Sequence, residues 1–364
     1  MLPFARTESI RLAAAAVKVH DELAALDLDA GPRQPNDASY PGIVALYARE
    51  ETREEFWETL VRMLKTEPTS GVVLGLLQSL GQIAGREPAR TMAILSDYIE
   101  HNYRQSERSD VMRMVVGIAV GLYLAQGTPS ALSLLRHFEQ DFEKYQRELS
   151  QMVFAAGQQI TPVDGTEPQR KRAREIWNGV LETVLRRSEE LHKQEPPRDF
   201  QAVVHVLDSL ISRLFFSFDL IGTRAPNQNA LDPEGRRILF HELKEFIEKL
   251  VQADAVEDDA DAPLIPHSAH YFLQLMNGIL EFAPDDVLHY AYTICKRGAR
   301  TGYLEDSMAR SEAVKLVEKA LADYRDHLKN PTVATSLNGL LNLFTEHAWP
   351  EAVTLTFRLE DAFR

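Results

Sequence analysis

The sequence predicts an all-α fold in which antiparallel helical hairpins stack as an irregular solenoid. Hydrophobic residues recur with helical spacing along most of the 364 residues, and no segment shows convincing strand alternation. Four proline-centred segments each follow one apolar run and open another, at Pro88, Pro129, Pro284 and Pro350. In three cases another proline opens the preceding run 18 to 20 residues earlier, at Pro68, Pro266 and Pro331. Proline suits the first turn of a helix because its φ fits and its missing N–H needs no partner there.

The amino-terminal half begins with an amphipathic helix on which Leu12, Ala16, Val19 and Leu23 share one face. A polar, proline-rich stretch at 31–41 ends this pattern. Further helices and hairpins are predicted at 43–48, 54–65, 68–100 and 110–142. The first helix of each hairpin is largely apolar and the second is mixed. Such a difference is expected when one helix is sandwiched between neighbours and the other faces water.

The remainder of the chain predicts single helices at 170–193, 200–220 and 233–252, followed by hairpins at 266–297 and 331–362. Loops rich in Gly, Pro, Asn and Asp separate these elements. We therefore divide the chain into amino-terminal helical repeats at 1–165, a central irregular helical region with charged loops at 166–260, and carboxyl-terminal repeats at 261–364.

The proline-started helices and hairpins resemble those of HEAT-like repeat proteins. The segment Pro284-Asp285-Asp286-Val287 comes nearest to the family's pattern of acidic residues after the turn between two helices. The resemblance implies an α-solenoid whose concave surface contacts a macromolecular partner. It implies no chemistry.

The composition favours a protein of the reducing cytoplasm. With 54 acidic against 40 basic residues the formal charge is −14, which disfavours nonspecific attraction to a phosphate backbone. The single cysteine, Cys295, has no partner for an internal disulfide. Arg6, Glu8 and Arg11 interrupt the apolar region that a signal peptide needs. The Ala- and Arg-rich style suggests a bacterial source.

Residues 114–135 contain no charged side chain and are long enough to cross a bilayer. A turn signature at 126–130 interrupts them, so we expect no membrane span. Four-residue glycine spacings occur at Gly71 and Gly75, Gly81 and Gly85, and Gly117 and Gly121. We interpret these pairs as places where soluble helices pack closely, in preference to membrane helix association.

No catalytic, cofactor-binding or metal site is expected. His267, His270 and His289 are the strongest metal candidates, but packing and helix-start hydrogen bonds account for them better. His241-Glu242 resembles the opening of a zinc-protease helix, yet Glu245 stands where the second histidine is required. Cys295 has no base placed beside it, so we interpret it as structural.

The concentrated basic run at 169–174 continues along the same predicted helix to Arg186-Arg187. It suits a phosphate, a nucleic acid or an acidic protein surface, and the alternative is a solvated helix face, which we favour. Arginine and aromatic side chains anchor protein interfaces. The candidate partner contacts are therefore Arg170, Arg172, Arg174, Trp177 and Trp349.

The expected function is that of a non-enzymatic helical-repeat scaffold, or of the recognition subunit of a larger assembly, which binds a protein partner. The alternative is a nucleic-acid-sensing or nucleic-acid-processing accessory protein that uses the basic helix at 170–187 against an otherwise acidic body.

Overall fold

The computed structural model describes residues 53–66, 70–102, 109–195, 198–220, 231–254, 269–301 and 307–362. These residues form an all-α fold with fourteen α-helices, and none of them lies in a strand. The chain divides into two compact units, Met1–His137 and Phe138–Arg364. The predicted helices within 1–52 lie outside the described residues, as do Pro68 and Pro266.

The first unit contains α1 (Arg53–Thr66), α2 (Ser70–Ile83), α3 (Pro88–Asn102) and α4 (Ser109–Gln126), and α5 (Pro129–Gln140) begins in it. Helix α1 packs against α2 and α3, and α4 packs against the same two helices. Arg90 of α3 reaches back to α1, where it donates two hydrogen bonds of 2.8 and 2.7 Å to Glu54 and lies over the ring of Trp57.

The second unit contains nine further helices. These are α6 (Phe142–Ala156), α7 (Glu167–His192), α8 (Gln201–Ser217), α9 (Pro233–Asp254), α10 (Ala269–Ile279), α11 (Pro284–Thr301), α12 (Ser307–Asp323), α13 (Pro331–Glu346) and α14 (Pro350–Ala362). Short 3₁₀ helices lie at Gly157–Gln159 and Arg325–Lys329.

Helices of the second unit contact the helix two places further along the chain. Contacts link α6, α8, α10, α12 and α14 in succession, and we call these five helices the even row. Contacts also link α7, α9, α11 and α13, which we call the odd row. Sequence neighbours such as α6 and α7, or α10 and α11, pack across the two rows. The largest fully buried side chains of this unit include Trp177, Phe215, Phe240, Phe272 and Phe344.

The predicted helix starts at proline are confirmed wherever the structure describes them. A proline is the first residue of six helices, namely α3, α5, α9, α11, α13 and α14. The central helices predicted near 170–193, 200–220 and 233–252 are present as α7, α8 and α9. Two helices of the even row, α6 and α12, were not predicted. Neither begins at proline, and α6 starts instead where the Asp141 side chain accepts a hydrogen bond from the Lys144 backbone N–H.

The uncharged run at 114–135 is divided between α4 and α5 by a turn, as its sequence indicates. Gly127 occupies the left-handed region in this turn with φ 66°, a conformation that glycine adopts without a Cβ clash. None of the helices in the described ranges combines the length and the apolar character that a bilayer crossing requires.

The glycine pairs have different surroundings. A Cβ placed on Gly81 would lie 3.4 Å from Ile118 of α4, and one on Gly85 would lie 3.3 Å from the Gln126 side chain. Close packing is therefore confirmed for this pair. No atom of the described residues lies within 4 Å of a Cβ placed on Gly117 or Gly121, whose neighbours leave open space. The close-packing prediction is wrong for these two glycines.

Gly165, in the turn before α7, has no room for a side chain because a Cβ would overlap the backbone carbonyl oxygen of Gln159. We expect Gly165→Ala to lower the free energy of unfolding by about 1–3 kcal/mol through forced backbone displacement. Gly117→Ala is the matched control: it should leave stability unchanged or raise it by up to about 1 kcal/mol, since alanine favours helix and open space is present. Urea denaturation of both variants measures the difference, and equal effects would contradict this account.

Candidate interaction surface

The basic run opens α7, where two of its arginines face inward. Gln169 stabilises the helix start, because its side chain accepts a 2.9 Å hydrogen bond from the Thr166 backbone N–H. The next residue, Arg170, donates to both carboxylate oxygens of Glu242 of α9, at 2.8 and 3.0 Å. Arg174 donates to the same carboxylate. The side chains of Arg170, Arg174 and Glu242 are only 12, 21 and 18% exposed.

The charged groups of this cluster stabilise one another. Burial by itself would raise the pKa of Glu242, but hydrogen bonds and charge from Arg170 and Arg174 outweigh it and hold that pKa below its ordinary value. The pKa of Arg170 is raised, first by its hydrogen bond to Glu242. The two guanidinium groups thus join α7 to α9. Partner binding through Arg170 and Arg174 stays a prediction, and the geometry gives them an internal role.

The other basic side chains of α7 have varied surroundings. Lys171 is exposed and Arg172 is half-buried. Arg186 donates to the backbone carbonyl of Glu139 at 2.9 Å, and Arg187 forms an ion pair with Glu143 at 2.5 Å. The run at 169–187 is therefore not one continuous cationic face.

Both predicted aromatic anchors lie in the interior. Trp177 is fully buried; its indole N–H donates to the Val153 carbonyl at 3.0 Å and its ring centroid is 5.4 Å from that of Phe246. Trp349 is 6% exposed and stacks on Phe344 with centroids 4.5 Å apart. In this conformation the two indoles contact the chain itself, and their role as partner contacts stays a prediction.

The described residues that were weighed for metal binding or catalysis have separate surroundings. His270 lies against Tyr271 with ring centroids 3.9 Å apart, His289 is exposed on α11, and His267 lies outside the described residues. Within the described ranges no three His, Cys, Asp or Glu side chains are grouped for a metal ion. Complete burial raises the pKa of the Cys295 thiol to about 12, so it is protonated at neutral pH.

Exposed hydrophobic side chains of the second unit concentrate on the even row. Six large ones are exposed among the described residues of the chain, and five of them belong to even-row helices: Phe154, Phe216, Met308, Val353 and Phe357. The sixth, Val163, precedes α7. None belongs to the described parts of the odd row. Single exposed apolar residues are ordinary, so those that lie next to each other are the informative ones.

Two of these side chains, Phe154 and Phe216, lie with Arg213 and Tyr271 on three consecutive even-row helices, and Arg213 and Phe216 share one face of α8 because they are three residues apart. Phe154 of α6 is 57% exposed, and the guanidinium carbon of Arg213 of α8 lies 5.0 Å from its ring centroid. Phe216 of α8 is 36% exposed, and its ring centroid lies 5.8 Å from that of Tyr271 of α10. We call Phe154, Arg213, Phe216 and Tyr271 the aromatic surface.

The chain around the aromatic surface supports its geometry. Gly157 follows α6, and a Cβ at this position would overlap the Arg213 side chain, so glycine lets that arginine lie along the end of α6. The buried Phe215 contacts both Phe216 and Tyr271, at 5.3 and 5.2 Å between centroids. Phe215 therefore supports the aromatic surface from its buried side, and Phe154 and Phe216 are exposed to solvent on the other side.

The odd row uses its polar side chains between its own helices. Lys244 of α9 donates to Asp286 of α11 at 2.6 Å, and the Tyr290 hydroxyl of α11 donates to Glu248 of α9 at 3.0 Å. Burial first, and then this hydrogen bond, raise the pKa of Tyr290, which therefore stays a donor at neutral pH. Polar links also join even-row helices, as Arg310 of α12 does with Glu351 of α14. The rows differ in the large apolar side chains that the even row exposes.

Comparison with models of protein families, with curated proteins and with solved structures finds no match to this chain. The arrangement of its own side chains is therefore the basis for inferring what it binds.

The sequence prediction missed the aromatic surface for an identifiable reason. Phe154 lies in α6, which the proline pattern did not detect, and Phe216 lies near the end of α8, where apolar residues are so frequent that an exposed one does not stand out. A signal was present, because the buried stripe of α6 includes Leu149, Met152, Val153 and Ala156, and Phe154 falls outside it. An aromatic residue on the polar side of an amphipathic helix is the pattern that identifies this surface.

Glu242 provides a direct test of the α7–α9 cluster. We expect Glu242→Gln to lower the free energy of unfolding at pH 7 by about 2–4 kcal/mol, because two largely buried guanidinium groups lose their counter-charge. Glu245→Gln, at a carboxylate that is 82% exposed on the same helix, should change it by no more than about 0.5 kcal/mol. Urea denaturation at pH 7 measures both values.

The same variants have a defined pH dependence. Because the folded-state pKa of Glu242 is lowered, its contribution is complete above the unfolded-state value of about 4.3 and is lost as the pH falls through the folded value. The stability difference between the natural chain and Glu242→Gln should therefore shrink below about pH 4.3. A difference that stays constant down to pH 3 would contradict the assigned ion pair.

Proposed function

We propose that this chain is a non-enzymatic, cytoplasmic HEAT-like α-solenoid that binds a protein partner, as a scaffold or as the recognition subunit of a larger assembly. The observation that carries the proposal is the aromatic surface, which joins exposed Phe154 and Phe216 with Arg213 and Tyr271 across three consecutive helices.

Four links between α9 and α14 support a repeating structure in this part of the chain, whereas Arg170 and Glu242, which join α7 to α9, are 72 residues apart. Lys244 and Asp286 are 42 residues apart, as are Glu248 and Tyr290. The Lys319 side chain donates to the Asn277 carbonyl across the same separation, and Arg310 pairs with Glu351 across 41 residues. A recurrence of about 40–47 residues is that of HEAT and armadillo repeats.

The order of these links supports parallel helices within each row. Lys244 precedes Glu248 on α9, and their partners Asp286 and Tyr290 follow in the same order on α11. On the even row, Ser150 contacts Ser209 and Phe154 contacts Arg213, again in the same order. Parallel helices in each row, joined by packing between the rows, are what stacked antiparallel hairpins produce.

The chemistry of the aromatic surface suits a protein partner. Aromatic and arginine side chains carry most of the binding energy in protein interfaces because they bury much apolar area and still offer polar contacts. Complete burial of a fully exposed phenylalanine contributes about 1.5–3 kcal/mol. Phe154 and Phe216 are 57 and 36% exposed, so covering each contributes part of that, and together with a stacked arginine they can form the centre of an interface.

The nucleic-acid alternative depends on the basic segment at 170–187. Two of its arginines, Arg170 and Arg174, are already engaged with Glu242. The formal charge of −14 opposes phosphate backbones over the whole chain. A protein partner is therefore the function that we favour.

Capture from a lysate of the native host, with mass spectrometry, tests the proposed function. We expect the tagged chain to retain a protein partner. Phe154→Ser and Phe216→Ser should each lower the affinity for the purified partner by at least tenfold. Phe357→Ser is the matched control, because it removes a phenylalanine that is 64% exposed on α14, and it should retain binding. Circular dichroism checks that each variant remains folded.

Three results would contradict the proposal. The first is a partner that both aromatic-surface variants bind as tightly as the natural chain does. The second is a partner that Phe357→Ser loses to the same extent, which would indicate general adhesion. The third is loss of the partner when the lysate is treated with nuclease. The last result would favour the nucleic-acid alternative.

A further inference from the structure

We draw no further inference here: the strongest candidate, the exposed apolar surface patch that Val353 and Phe357 form on α14, carries no proposal because nothing among the described residues shows what covers it.

Discussion

The carboxylate of Glu242 is the interaction on which the arrangement of the second unit depends. It accepts hydrogen bonds from Arg170 and Arg174 and so fixes α7 against α9. Helix α7 in turn packs against α6 and α8, the helices that bring Phe154 and Arg213 together. A largely buried ion cluster contributes little net stability when complete, but loss of one member leaves uncompensated charge. Its effect is therefore to select one alignment of these helices.

Polar links hold both rows together. Odd-row helices bond from Lys244 to Asp286 and from Tyr290 to Glu248, and even-row helices bond from Arg310 to Glu351. Even-row helices expose Phe154 and Phe216 to water over a fixed aromatic underside. Exposure of these rings is unfavourable in the isolated chain, and a partner that covers them regains the lost hydrophobic free energy.

Local sequence signals predicted the helices better than they predicted the surface. Proline located six helix starts because its effect on φ and on the backbone N–H is local. Helices α6 and α12 lack that signal. The separation of bonded residues is 72 between α7 and α9 but 42 between α9 and α11, so the sequence has no single repeat length to detect. Trp177 and Trp349 fit an interface by residue type, but only the packing of α7 on α6 and of α13 on α14 shows that their indoles are enclosed.

Zero-length carbodiimide cross-linking with mass spectrometry of the monomeric chain tests the side-by-side arrangement of the odd row most directly. The reagent joins an amine and a carboxylate that are already in contact. We predict an amide between Lys244 and Asp286, whose charged atoms lie 2.6 Å apart, and a weaker one between Lys249 and Glu182, at 3.6 Å. Cross-links of Lys244 and Lys249 only to carboxylates of their own helix, or to helices that are not two places along the chain, would contradict the account.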